Sequence, residues 1–155
     1  MSGSVWIDHR HFRHHFQSMC NLYAQSRSRD EIRRLFRVEC DLAGDLPPQP
    51  SIYPDQMAPI IRVDEDGARV MQQMRWGFPP PPAGTRPVTN LRNTSSTFWR
   101  SWLKPAYRCL VPATSFCEYS GDQPKLPYWF ALTPDRPPFA FAGVWRPWTG
   151  LRGKE

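Results

Sequence analysis

Met19-Cys20-Asn21-Leu22-Tyr23 is the stretch of this sequence with the most chemistry to offer. It reads as an initiator methionine followed by a working cysteine, placed behind eighteen further residues. If Met19 is the first residue translated, or if the segment ahead of it is cut away, Cys20 becomes the N-terminus. An N-terminal cysteine carries two nucleophiles on adjacent carbons, an α-amine and a thiol. The amine has a reference pKa of about 7.7–8.0, against about 10.4 for lysine, so far more of it is unprotonated at neutral pH. It can condense with an aldehyde, after which the thiol can close a ring on the product. Behind a peptide bond the amine is gone and an ordinary thiol remains. Whether Cys20 is free therefore controls what the chain can do.

Other candidates are weaker on their own. Glu118 sits in Ala113-Thr114-Ser115-Phe116-Cys117-Glu118-Tyr119, after an apolar run and among aromatics. A partly desolvated carboxylate there would have a raised pKa and suit general acid or base work. A strand-end glutamate pointing into water is the competing reading, and position alone favours it. Asn90 and Arg92 are ordinary when taken singly. Trp76, Trp99 and Trp102 lie near Arg75, Arg92 and Arg100. Arginine interleaved with aromatics suits single-stranded nucleic acid, because bases stack on rings while phosphates take the guanidinium. Core tryptophan beside surface arginine is at least as common. Cys20, Cys40, Cys109 and Cys117 include no C-x-x-C pair, so no zinc site is expected. Cys40, Cys109 and Cys117 read as small buried hydrophobes of a reduced compartment.

The elements that must position these residues follow from pattern. Cys20 to Ala24 reads as extended. Ser28-Arg29-Asp30-Glu31 is a capping box, and Ile32, Leu35 and Phe36 fall on one helical face, so a short helix to about Val38 is expected. Asp41 to Asp55 holds four prolines and a glycine and reads as loop. Met57 to Val63 and Arg69 to Trp76 read as a hairpin turning at Asp64-Glu65-Asp66-Gly67. Pro79 to Gly84 reads as a rigid extended loop, and Val88 to Arg92 as a short strand or strand end. Ser95 or Ser96 is expected to cap a second short helix running to Leu103 and closed by Pro105. Strands are expected over Tyr107 to Val111, Pro127 to Thr133 and Phe139 to Trp145, with turns at Gly121 to Pro124 and Pro134 to Pro137.

Composition agrees with one α+β domain, mainly an antiparallel, barrel-like sheet with a few short helices. Eighteen prolines and nine glycines demand many turns rather than a helical bundle. No apolar run approaches the roughly 20 residues of a membrane span, so no membrane partner is expected. Seventeen of the twenty basic residues are arginine, whose fork matches phosphate oxygens, and the net charge is +6. All four histidines fall in residues 1–18, at 9, 11, 14 and 15. Their crowding could hold a divalent metal adventitiously, but the segment reads better as an unstructured or non-native extension.

Taken together the blocks resemble one family. Met19-Cys20-Asn21-Leu22-Tyr23, Arg75-Trp76-Gly77-Phe78, Asn90-Leu91-Arg92, Arg108-Cys109-Leu110-Val111-Pro112-Ala113 running into Phe116-Cys117-Glu118-Tyr119, and Phe141-Ala142-Gly143-Val144-Trp145 occur in the order of the SOS response-associated peptidases, or SRAP proteins. These are also called abasic-site processing proteins. Each block is weak alone, whereas the ordered set is specific and covers residues 19–155.

The resemblance implies the SRAP fold and a covalent chemistry. Family members lose the residue ahead of the cysteine by self-processing or to an aminopeptidase. The freed cysteine then crosslinks to the open-chain aldehyde of an abasic site in single-stranded DNA, forming a stable thiazolidine. By position Cys20 would be the nucleophile, Asn90 would orient it and the opened sugar, and Glu118 would be the acid/base. Arg92 would hold a phosphate, and Arg100 and Arg75 would add DNA contacts. Trp76 would line the DNA surface. No metal or organic cofactor is implied, and a cytoplasmic, nucleoid-associated monomer is expected. The family also carries a catalytic histidine after its Phe-Ala-Gly strand, whereas here no histidine follows His15. Leu22 stands where many members have an arginine, and Asn93-Thr94 where many have a nearby glutamate. The expectation is thus an extension over 1–18 and an SRAP domain over 19–155 lacking its C-terminal part. A crippled module that binds single-stranded DNA without covalent chemistry is the alternative.

Overall fold

A computed structural model of the protein describes residues 21–79, 86–121 and 123–149. In chain order these form β1 (Leu22–Gln25), α1 (Arg29–Phe36), β2 (Cys40–Asp41), β3 (Gln49–Ile52), β4 (Met57–Val63), β5 (Arg69–Arg75), α2 (Thr97–Arg100), a 3-10 turn (Pro105–Tyr107), β6 (Arg108–Ala113), β7 (Ser115–Tyr119), β8 (Pro127–Phe130) and β9 (Phe139–Val144). The segments 1–18 and 80–84, to which the sequence assigned an extension and most of a proline loop, lie outside the described residues.

The strands make two sheets, β3-β1-β7-β8 and β2-β5-β4-β6-β9. Every neighbouring pair is antiparallel except β2 with β5. The class is therefore the expected α+β, mainly antiparallel one, but the strands lie in two open sheets rather than one closed barrel. The chain crosses between sheets at Thr114, the single residue separating β6 from β7. Its backbone N–H and its Oγ1 both donate to the carbonyl of Ala24, at 2.7 and 3.2 Å. Thr114 is buried, and these bonds satisfy its own N–H and hydroxyl where the chain switches sheets.

Two apolar clusters follow. Ile32 of α1 packs with Ala43, Leu46, Ile61 and Met71 on the larger sheet. Tyr23, Ile52, Ala58 and Ala113 form the second cluster, with Trp76, Phe116, Phe139 and Phe141 packed against it. Helix α1 starts as its capping box predicts: Ser28 Oγ accepts from the Glu31 N–H and the Glu31 carboxylate accepts from the Ser28 N–H. It stops at Phe36, short of Val38, because Arg37 turns left-handed at φ 53°. The β4–β5 hairpin turns where expected, with Asp64 Oδ1 accepting from the N–H groups of Asp66 and Ala68.

Several expectations need correction. The Pro-rich stretch from Asp41 to Asp55 contains β3, where Pro50 is tolerated because β3 is an edge strand. Residues 115–119 form a strand of their own. Val88 makes only an isolated bridge to Phe78, and the residues to Arg92 are irregular. The second helix is one turn long. Ser96 occupies its N-cap position without a side-chain cap bond, and Asn93 organises the turn instead, accepting from the N–H of Ser95. β8 ends at Phe130 rather than Thr133. Cys109 and Cys117 are buried free thiols as expected, whereas Cys40 is only partly covered. Among the described residues no helix is long and apolar enough to cross a membrane.

Candidate functional site

Strand β1 is the frame of the site. It pairs with β7 in the register Leu22↔Cys117 and Tyr23↔Phe116. Continuing that register by one residue brings Asn21 opposite Glu118. Cys20 lies outside the described residues, and Asn21 is its covalent neighbour. Side chains alternate along a strand, so Glu118 shares a face with Phe116, which meets Phe141 edge to face at 5.8 Å. Tyr23 on the same face meets Phe141 at 6.0 Å and Trp76 at 5.1 Å. An aromatic floor thus underlies the end of β1, and Glu118 stands at its margin.

The second wall is the loop over 86–92. It is held to the end of β5 by paired backbone bonds between Phe78 and Val88, at 2.9 and 3.0 Å. The indole Nε1 of Trp76 donates to the Thr89 carbonyl at 3.2 Å. Thr89 Oγ1 accepts from Asn90 Nδ2 at 3.0 Å and donates to Asn21 Oδ1 at 3.4 Å. Gly77 permits this close approach. Its φ is +108°, and a Cβ there would stand 2.8 Å from Cβ of Pro87. Trp76 and Asn90, far apart in sequence, are in this way both tied to Thr89, which bonds the residue that follows Cys20.

Burial raises the pKa of Glu118 above the ordinary carboxylate range. A carboxyl group of that kind holds its proton to higher pH and can donate it to a leaving hydroxyl. Burial also raises Cys117, with the Glu118 charge adding to it, and pushes Cys109 up to about 12. Both thiols are therefore poorer nucleophiles than an ordinary exposed thiol. The half-buried Glu118 departs from the solvent-facing glutamate that position alone favoured.

The arginines divide. Arg92 and Arg100 are exposed, the latter in the last turn of α2. Arg75 is half exposed, and its guanidinium donates to the Asp55 carbonyl at 2.6 Å, which braces the left-handed turn at Asp55. A groove of about 920 Å³ runs past Trp76, Asn90 and Phe141 toward Trp145 and Trp148, and Glu118 is not among its lining residues. Within it the Arg146 guanidinium lies over the rings of Phe78 and Trp102, at 5.5 and 5.2 Å. Sequence reading missed Asn21, Thr89, Gly77 and Arg146. Asn21 and Gly77 carried a local signal, inside Met19-Cys20-Asn21-Leu22-Tyr23 and Arg75-Trp76-Gly77-Phe78. Among the described residues no three His, Cys, Asp or Glu side chains converge as a metal site requires.

Residues 19–155 match the family described as SOS response associated peptidase (SRAP). The chain belongs to the SRAP family. Its relatives include the abasic site processing protein YobE of Bacillus subtilis, 30% identical over 145 residues, covering 87% of this chain and 65% of that protein. The abasic site processing protein YoqW of Bacillus phage SPbeta is 29% identical over 145 residues, covering 87% of this chain and 63% of its own length. This SRAP chain thus spans somewhat less than two thirds of the curated relatives it matches. Two crystal structures of Bordetella bronchiseptica proteins share the fold, one of them described as phage-related. TM-scores are 0.61 and 0.62 at 24% and 23% identity, over 82% and 85% of this chain and 64% of each of those.

Proposed function

We propose that this SRAP chain processes abasic sites in single-stranded DNA by forming a covalent crosslink through Cys20 once that residue is N-terminal. The observation that carries the reading is the set of bonds that ties Asn21, the residue bonded to Cys20, to Thr89 and through it to Asn90 and Trp76. Family membership and the printed names of YobE and YoqW supply the substrate class.

The steps balance without a co-reactant. The unprotonated α-amine of Cys20 adds to the C1′ aldehyde of the opened deoxyribose and gives a carbinolamine. Burial raises the Glu118 pKa and so favours its protonated form, which donates its proton to the departing hydroxyl, so that water leaves and an imine forms. The Cys20 thiol adds to the imine carbon within the same residue, where effective molarity is high, and its proton passes to nitrogen. The product is a five-membered thiazolidine, with one water lost overall. Asn90 orients the amine and the sugar hydroxyls. Arg92 and Arg100 hold phosphates beside the lesion, Arg75 adds a flanking cation, and Trp76 lines the DNA surface. Peptide cleavage ahead of Cys20 would use the same residues.

The test is a denaturing gel. The chain with Cys20 freed is mixed with single-stranded DNA containing one abasic site. A heat-stable shifted band is expected, absent with intact DNA and absent with Cys20→Ala. A native-gel shift with no covalent band would instead make the protein a non-covalent single-stranded DNA-binding module.

A further inference from the structure

Thr89 belongs to no motif and no core cluster, yet three site residues meet on it. Its carbonyl accepts from Trp76 Nε1, its Oγ1 accepts from Asn90 Nδ2, and its hydroxyl hydrogen goes to Asn21 Oδ1. We propose that Thr89 is a positioning residue that fixes both the orientation of the Asn90 carboxamide and the place of the chain segment carrying Cys20. This rests on the reading of Cys20 as the nucleophile.

The argument is one of hydrogen-bond direction. A threonine hydroxyl has one hydrogen to give. Spent on Asn21, it leaves Oγ1 as an acceptor, which takes the amide nitrogen of Asn90 rather than its carbonyl oxygen. The Asn90 NH₂ group is thereby turned toward Thr89 and its Oδ1 away. A carbonyl oxygen so turned accepts from an amine, an imine N–H or a carbinolamine hydroxyl. The opposite flip would present N–H donors to a group that itself donates. The branched Cβ of threonine adds stiffness, since it restricts χ1.

The bond to Asn21 supplies the second half. Once Cys20 is N-terminal, Asn21 lies near a chain end, where residues fray unless something ties them down. Asn21 precedes β1 and is exposed, so the ladder holds it less firmly than Leu22, which is buried and paired. Its side-chain bond reaches the loop that bears Asn90, across 68 residues of sequence. The loop bearing Asn90 and the segment entering β1 are thus joined by one hydroxyl, in addition to the bonds that hold each to the sheets.

The test has two arms, one on the full chain and one after cleavage ahead of Cys20. First, the Asn90 side-chain amide is observed by ¹⁵N NMR, assigned with Asn90→Asp. Thr89→Val keeps shape and removes the hydroxyl. It should shift the Asn90 NH₂ resonances and speed their solvent exchange roughly tenfold, the worth of one neutral hydrogen bond, while Thr89→Ser leaves them near the parent. Second, after cleavage that makes Cys20 the first residue, crosslinking to abasic single-stranded DNA is timed at several DNA concentrations. Thr89→Val should lower the maximal rate about tenfold with the half-saturating concentration unchanged, and Thr89→Ser should restore it to within about twofold. Asn21→Ala should slow the reaction too, and the double variant should be no slower than Thr89→Val, because both act through one bond. Unmoved Asn90 resonances, Thr89→Ser failing as badly as Thr89→Val, or independent multiplying effects would each overturn the proposal. If the parent forms no crosslink, the functional reading falls and the NMR arm alone decides the role of Thr89.

Discussion

Gly77 and Pro87 are in contact at a distance that no side chain could share. A Cβ on Gly77 would stand 2.8 Å from Cβ of Pro87, at a φ of +108°. The Trp76-Gly77-Phe78 segment and the loop over 86–92 touch there, just ahead of Thr89 and Asn90. Gly77→Ala should therefore cost about 2–3 kcal/mol, part from the strained φ and part from the forced separation. It should also displace the loop, so DNA crosslinking should fall further than the loss of folded protein accounts for. Urea unfolding followed by tryptophan fluorescence gives the first quantity. A stability within ~0.5 kcal/mol of the parent, the range of an ordinary surface change, would show that this contact is not limiting.

Asp41 anchors α1 to the larger sheet. Its side chain is 8% exposed and takes Arg29 Nε at 2.6 Å and Arg33 Nε at 3.4 Å, while its other oxygen accepts from the Ala43 N–H at 3.0 Å. Burial works against its charge, but the Arg29 hydrogen bond, the Ala43 N–H and the two guanidinium charges outweigh it and lower its pKa. A lowered carboxyl pKa adds stability that is present above the ordinary aspartate value of 3.8 and is lost as pH falls through the folded value. Asp41→Asn keeps the acceptor for Ala43 and removes the charge. Both arginines are nearly half exposed, so the loss at pH 7 should be only about 1–2 kcal/mol. Thermal melts from pH 7 to pH 3 should show parent and variant converging at the acid end. Parallel curves would mean the charge contributes nothing.

The two halves of the molecule differ in how openly the sequence declares them. Ser28 and Glu31 state the start of α1 outright, because a capping box is local chemistry. The alternation in Met57–Val63 and Arg69–Arg75 around an Asp-Gly turn states the hairpin for the same reason. β7 is hidden because the chain turns between sheets at Thr114, whose partner Ala24 is 90 residues away. β3 is hidden by Pro50, which reads as a loop signal unless the strand is known to be an edge. Trp76, Asn90 and Glu118 were reached through ordered family blocks, since nothing in their spacing says that they meet. Thr89 could not be singled out at all, and Asn21 only as a neighbour of Cys20. Their importance exists only in the contact between them.

Arg92 is exposed two residues after Asn90, and the proposed function gives it a phosphate beside the lesion. Arg92→Ala should weaken binding to single-stranded DNA of any sequence and reduce the slope of log K against log salt by about 0.7, the release for one single-strand phosphate contact. Fluorescence anisotropy across a salt series measures both. An unchanged slope with weakened binding would make Arg92 a structural residue of the loop instead.

Glu118 separates stability from function by pH. Burial raises its pKa, so the folded state takes up a proton more readily than the unfolded chain. Its favourable term is full below the ordinary glutamate value of 4.5 and disappears as pH rises through the folded value. At pH 7 the carboxylate is a cost to folding, and Glu118→Gln removes that cost. The variant should be at least as stable as the parent at pH 7, with a flatter stability curve just above pH 4.5. Its crosslinking should nonetheless be slowed about 10²-fold or more at every pH, because a glutamine has no proton to donate to the departing hydroxyl. Thermal melts and the gel assay, run on the same samples, check the pair of outcomes. A variant less stable than the parent at pH 7 would mean that a partner holds the Glu118 charge, and its proton would then be unavailable to the imine-forming step.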